Sequence, residues 1–140
     1  MRVLVCGGRD FADKALFHRT MTEAVPWDEP DEHGNSLPKG VTIIHGCCPT
    51  GADAMADDWA VVNWCSNIMQ FPADWKRHGR SAGPIRNQRM IDEGKPHLVI
   101  AFPGGRGTAD MVRRARAAGV TVVEPTPTAG IPDTTQDGRA

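Results

Sequence analysis

The stretch from Leu98 to Asp110, Leu-Val-Ile-Ala-Phe-Pro-Gly-Gly-Arg-Gly-Thr-Ala-Asp, constrains the fold more tightly than any other part of the chain. Its first five residues are uncharged and apolar, the pattern of a strand covered on both faces, as in a parallel sheet flanked by helices. The turn Pro103-Gly104-Gly105-Arg106-Gly107-Thr108 then opens a helix. A single glycine suffices to turn a chain; three also clear side chains from the main chain at the start of that helix. The unpaired N–H groups and the dipole of a helix start favour an anion, and phosphate is the expected occupant.

The remaining chain repeats this strand-to-helix pattern. Arg2 to Cys6 reads as the first strand, followed by the loop Gly7-Gly8-Arg9-Asp10. Phe17, Met21, Ala24 and Val25 fall on one face of a helix expected to begin near Asp10 or Phe11. Residues 26–40, rich in proline, glycine and acidic side chains, read as a polar loop insertion. Val41 to His45 is the second strand, leading through Gly46-Cys47-Cys48-Pro49-Thr50-Gly51 into a helix with the stripe Ala52, Met55, Ala56, Trp59 and Ala60. Ile68 to Phe71 is the third strand; an irregular run over 72–83 precedes a helix expected from Pro84 to Glu93, which Gly94 ends. After the Pro103 turn, Met111, Val112, Ala115 and Ala118 mark the inner face of the last helix, and Val120 to Glu124 is the fifth strand. From Pro125 the chain has little to bury, so 125–140 is expected to be a flexible tail. The alternation predicts a Rossmann-like α/β domain over 1–124, three layers deep, with a five-stranded parallel sheet in the order 3-2-1-4-5. That order sets the loops after the first and fourth strands side by side at the carboxyl edge of the sheet, where such folds bind ligands.

Charge narrows the choice of ligand. Sixteen Lys and Arg against seventeen Asp and Glu leave a net charge of −1, so no global field draws the chain to nucleic acid or membrane. There is no apolar run of membrane-spanning length and no signal-peptide pattern before the first strand, so a cytoplasmic protein is expected. The four cysteines, Cys6, Cys47, Cys48 and Cys65, match no zinc spacing, and a site using His45, Cys47 and Cys48 is disfavoured. Neither a metal nor a cofactor is expected. Lys76 to Met90 is the local exception to neutrality, with Lys76, Arg77, Arg80, Arg86 and Arg89 and no acid. Arginine suits phosphate because its planar fork donates paired hydrogen bonds; Arg86, next to Asn87, is the preferred ligand. The candidate binding set is Gly7, Gly8, Arg9, Asp10, Gly46, Gly51, Asp53, Arg86, Asn87, Pro103, Gly104, Gly105, Arg106, Gly107 and Thr108. Asp10 reads either as a ribose ligand or as the cap of the first helix; Asp53 as a ligand or as a carboxylate favoured by a helix dipole. His45 reads as a satisfied core residue, Trp75 as a packing residue or a base stacker, and Arg113, Arg114 and Arg116 as a solvated face. Neither G-x-G-x-x-G nor G-x-x-x-x-G-K-[ST] occurs, which removes support for ordinary NAD chemistry and P-loop phosphoryl transfer.

Pro103-Gly104-Gly105-Arg106-Gly107-Thr108 resembles the PGGxGT motif of the SLOG superfamily, which includes the LOG-type phosphoribohydrolases once called lysine decarboxylases. Arg86-Asn87-Gln88-Arg89-Met90 is similar to their R-K-x-x-M helix, and Gly46 to Asp53 occupies the place of their second glycine loop. Gly7-Gly8-Arg9-Asp10-Phe11 and Gly83-Pro84-Ile85-Arg86-Asn87 most resemble the YspA/YpsA-related branch, common in bacteria and their phages. The resemblance implies a nucleotide site with Arg86 at the position of the family's catalytic arginine. The hydrolases continue as PGGxGTxxE, and here Met111 stands at the glutamate, with Asp110 the nearest carboxylate. Three expectations result. The first is binding or sensing of a nucleotide or nucleotide-derived phosphorylated ligand. The second is LOG-like cleavage of the N-glycosidic bond of nucleoside monophosphates, with Arg86 and Asp110 as catalytic residues. The third is single-stranded DNA binding of the DNA-processing type, with the basic stretch tracking the backbone. The partner expected is thus a nucleotide-like small molecule, with nucleic acid not favoured and membrane excluded. Trp59-Ala60-Val61-Val62 and Trp64 fit a homodimer surface and burial in the monomer equally well.

Overall fold

The computed structural model describes residues 1–65 and 67–127. Most of the expected tail, 128–140, lies outside the described residues. The strands are β1 (Arg2–Cys6), β2 (Thr42–His45), β3 (Asn67–Gln70), β4 (Leu98–Ala101) and β5 (Thr121–Val123). The helices are α1 (Lys14–Ala24), α2 (Gly51–Val62), α3 (Trp75–His78), α4 (Ala82–Asp92) and α5 (Arg106–Ala117), with a 3-10 turn over Gly79–Ser81. All strand pairs are parallel and the order is β3-β2-β1-β4-β5, as the alternation of elements predicts. Among the described residues, no helix is long and apolar enough to cross a membrane.

Alternate strand residues feed two separate cores. Val3, Val5, Ile43 and Ile100 point to one face, where Leu16, Phe17 and Met21 of α1 and Ala52, Ala56 and Trp59 of α2 cover them. Leu4, Cys6, Ile44 and Val99 point to the other, under Met90 and Ile91 of α4 and Met111, Val112 and Ala115 of α5. Both faces of the central strands are therefore dry, which is why their sequences carry no polar alternation. Ala52, Ala56 and Ala60 are fully buried and let α2 approach the sheet closely. Phe102, just beyond β4, stacks between Phe11 and Phe17 at centroid distances of 5.0 and 4.9 Å, fastening the start of the glycine turn to α1.

Several local expectations are corrected. Helix α1 begins at Lys14, capped by Asp13, whose Oδ1 accepts from Leu16 N at 3.0 Å. The Gly8 carbonyl takes the Phe11 N–H at 3.1 Å, so residues 8–11 form a turn and Asp10 is not the cap. The stretch 72–83 is irregular only over its first three residues: α3 and the 3-10 turn follow from Trp75 and run into α4, which starts at Ala82. Pro84 is the third residue of α4, still in the first turn, where the N–H has no intrahelical acceptor and proline removes no helical hydrogen bond. Arg86 accordingly lies in the second turn. Ala118 is the exposed C-cap of α5 and not part of its inner face. Residues 26–40 form an organised loop: Trp27 and Pro38 make an antiparallel bridge, Asp28 N bonds Leu37 O at 2.8 Å, and Trp27 packs edge-on against Trp59.

Truncating Phe102, the aromatic that fastens the glycine turn to α1, tests the packing. Phe102→Ala is expected to lower the free energy of urea unfolding by about 3–5 kcal/mol. Val123→Ala, on the partly exposed β5, is expected to cost under about 1 kcal/mol.

Candidate functional site

Three glycine loops meet at the carboxyl edge of the sheet. Gly8 N donates to Pro103 O at 2.9 Å, so the β1 and β4 loops are hydrogen-bonded to each other. The Gly8 carbonyl faces the start of α2, 3.4 Å from Ala52 N, and Thr50 Oγ1 donates to Arg9 O at 2.9 Å, which brings in the β2 loop. A methyl group on Gly7 would stand 2.7 Å from the Ala52 Cβ; one on Gly8 would stand 3.1 Å from Gly104 Cα. One on Gly104 would strike Thr108 Oγ1 and Gly8 N. Gly51, at φ +71°, meets the Gly8 carbonyl and Arg9 in the same way. These four glycines exist so that loops can touch. Gly105 and Gly107 differ: among the described residues nothing lies within 4 Å of where their side chains would be, and both are exposed.

The basic stretch divides under the same scrutiny. Arg86 enters the junction: its Nη1 donates to Gly46 O at 2.6 Å and its Nε to Asn87 Oδ1 at 3.1 Å. A side chain on Gly46 would run into that guanidinium, with the Asp53 carboxylate 3.1 Å away. Arg89 is turned aside, paired with Glu93 at 2.9 Å and lying over the Phe71 ring. Lys76, Arg77 and Arg80 are exposed and make no ion pair among the described residues. Arg9 and Asp10 are exposed in the β1 loop, and Arg106 is exposed at the first position of α5.

Asn87 joins the two sides. Its amide nitrogen donates to Gly107 O at 3.1 Å and to Asp110 Oδ2 at 3.0 Å, tying α4 to the first turn of α5. Asp110 also accepts from Arg113 at 2.5 Å and from Arg114 Nε at 2.8 Å, while Arg114 Nη1 reaches Gln88 Oε1 at 2.9 Å. Arg114 is thus an internal brace and not part of a solvated face. Burial pushes the Asp110 carboxyl up, but the hydrogen bonds from Arg114 and Asn87 and the charges of Arg114 and Arg113 outweigh it, leaving its pKa below the ordinary value. Both of its oxygens are engaged and its proton is held off, so it acts here as a brace for Asn87. Met111, at the family's glutamate position, is fully buried in the core beneath α5.

Asp53 is buried, and its Oδ2 accepts from Cys48 N at 3.0 Å. Burial raises its pKa, partly offset by the Cys48 N–H and the nearby positive charge of Arg86. His45 is satisfied at both nitrogens: Nδ1 accepts from Cys47 N at 3.0 Å, so Nε2 carries the proton and donates to Asp57 Oδ1 at 2.8 Å. This bond holds the Asp57 carboxyl below its usual range. Asp57 was not among the sequence candidates; its position one turn after Asp53 on α2 is the signal that pairs it with a strand end. Cys47 sits at φ +62°, held there by His45. Burial pushes the Cys6 thiol up to about 12. Among the described residues, no group of three or more His, Cys, Asp or Glu is placed to hold a metal ion.

The amino end of α5 is open. Gly105 is its N-cap with no side-chain cap, and the N–H groups of Arg106, Gly107 and Thr108 make no hydrogen bond among the described residues. A cavity of about 310 Å³ lies on the β5 flank of this turn, lined by Pro103, Gly105, Thr108, Val112 and Glu124. The arrangement presents backbone donors beside an arginine, with a low-dielectric core beneath, which is the chemistry of a phosphate site.

The brace makes a pH prediction. A folded-state pKa held below the unfolded value contributes stability above the unfolded pKa and loses it as pH falls through the folded one. Asp110→Asn is therefore expected to destabilise by about 1–3 kcal/mol at pH 7, with wild type and variant converging as pH drops below about 4 in thermal unfolding.

Two comparisons complete the description. The sequence profile described as YAcAr, the YspA, cpYpsA-related SLOG family, matches residues 1–78, from β1 through α3. The Gene 61 protein of Mycobacterium phage D29 is 34% identical over 128 residues, covering 87% of this chain and 94% of that protein. With the predicted strand order observed, the chain belongs to the YspA, cpYpsA-related SLOG family.

Proposed function

We propose that this protein binds a nucleotide or nucleotide-derived phosphorylated ligand intact at the carboxyl edge of the sheet. The observation that carries the proposal is the free amino end of α5: exposed Gly105 and Gly107, three N–H groups without acceptors among the described residues, and no capping side chain. A phosphate there accepts backbone hydrogen bonds and meets the positive end of the helix dipole. Arg86 stands beside the junction as the fixed cation, its orientation already set by Gly46 and Asn87. Asp10, freed from capping α1, is available to ribose hydroxyls from the β1 loop. Membership of a SLOG family supports a nucleotide-related ligand.

N-glycosidic cleavage receives less support. The position at which LOG-type enzymes carry their glutamate is Met111, sealed in the core. The substitute carboxylate, Asp110, is held by Asn87, Arg113 and Arg114. A carboxylate so committed is poorly placed to stabilise an oxocarbenium ion or to take a proton from water.

Incubating the protein with nucleoside mono-, di- and triphosphates, NAD and ADP-ribose, then following bound ligand and free base by mass spectrometry, tests the proposal. Intact ligand is expected to co-purify without base release, and Arg86→Ala is expected to weaken its binding by about tenfold to a hundredfold. Failure of every ligand to bind at millimolar concentration would overturn the proposal; release of base together with ribose 5-phosphate would replace binding with hydrolysis.

A further inference from the structure

We propose that Trp75, with Lys76, Arg77 and Arg80 in the same segment, forms the surface on which the ligand's base rests. The inference depends on the nucleotide reading above and adds where the base lies. Trp75 is 56% exposed, although it opens a helix that packs against α4. Its indole lies with Cη2 3.5 Å from where a side chain on Gly83 would begin, so one edge rests on bare backbone of the first turn of α4 and much of the ring is left open. An aromatic residue half in water, backed by glycine and flanked by cations that make no ion pair among the described residues, fits a flat, electron-poor ring attached to an anion. Asp74, the acid beside it, spends a carboxylate oxygen capping α3, accepting from Arg77 N at 3.1 Å.

Position supports the assignment. Gly83 precedes Asn87 by one helical turn, about 6 Å along α4, and the Asn87 amide is bonded to Gly107 in the first turn of α5. The indole and the free amides of α5 are thus linked through a single turn of α4 and the Asn87–Gly107 bond. Arg86 belongs to that same turn, next to Asn87, so a nucleotide with its phosphate on the α5 amides and its base on the indole would run along it. In the competing location, the cavity on the β5 flank, the lining aromatic is Phe102, which is fully buried with its ring stacked between Phe11 and Phe17 and so offers the base no open face. Its Glu124 carboxylate, 2.7 Å from Arg116, does not attract a phosphorylated ligand. The other strongly exposed tryptophan, Trp64, follows α2 at the amino edge of the sheet, away from the junction.

Titrations with adenosine 5′-monophosphate, uridine 5′-monophosphate and ribose 5-phosphate test the inference, using wild type, Trp75→Ala and Trp75→Phe. Stacking tolerates any base, so both nucleotides are expected to quench indole fluorescence in the wild type, and ribose 5-phosphate is not. Trp75→Ala is expected to weaken both nucleotides by about tenfold or more while leaving ribose 5-phosphate unchanged, and Trp75→Phe is expected to restore most of the loss. Equal nucleotide affinity in wild type and Trp75→Ala, with ribose 5-phosphate still bound, would overturn the base platform alone. Failure of the wild type to bind any of the three would overturn the phosphate site and the platform together. Binding only of single-stranded oligonucleotide, and of none of the three small ligands, would overturn both and make the basic segment a nucleic-acid surface.

Discussion

The site depends on one amide. Asn87 donates to Gly107 O and to Asp110 Oδ2 and accepts from Arg86 Nε. Through these bonds the second turn of α4 sets both the amino end of α5 and the guanidinium that reaches across to Gly46. Without them, Arg86 would be a long side chain free to sample many rotamers, and the first turn of α5 would be fixed only through its own loop. Burial makes the arrangement decisive, because a carboxylate and an amide removed from water must find partners or pay the full desolvation cost. Arg113 and Arg114 complete that satisfaction at Asp110. A residue that reads in the sequence as a catalytic acid thus acts as a clamp.

Glycines do the complementary work. At Gly7, Gly46, Gly51 and Gly104 a single methyl group would collide with a neighbouring loop, helix or side chain, and at Gly8 it would crowd Gly104. The loops after β1, β2 and β4 can therefore close on one another with hydrogen bonds between them. Gly105 and Gly107 bear no such contact and leave the helix start uncovered. A motif that looks uniform in sequence serves two purposes: its first glycine packs, and the other two keep the backbone accessible.

The layers and strand order were legible because buried parallel strands and amphipathic helices write different periods into a chain, and here the two alternate without ambiguity. Boundaries were less legible where two residues could do the same job. Asp10 and Asp13 are equally good caps, and the Gly8 carbonyl that takes the Phe11 N–H, and so decides between them, belongs to the packed loop junction. Pro84 marks a first helical turn but not which position in it. The convergence of the glycine loops followed from strand order, while the fate of individual charges did not. Arg89 turns to Glu93 and Phe71, and Arg114 folds inward to Asp110 and Gln88, because their neighbours in space come from other turns and other helices. The Val61, Val62 and Trp64 side chains, which the sequence left divided between core and surface, are exposed, whereas Trp59 and Ala60 are core.

The most direct measurement of the central claim is a titration of the uniformly 15N-labelled protein with adenosine 5′-monophosphate, followed amide by amide in heteronuclear correlation spectra. Saturable shifts are expected to be largest at Arg106, Gly107 and Thr108, whose backbone donors have no acceptor among the described residues and would meet the phosphate. Saturable shifts centred instead on the exposed end of α2, at Val61 to Trp64, or the absence of any saturable change, would contradict that claim.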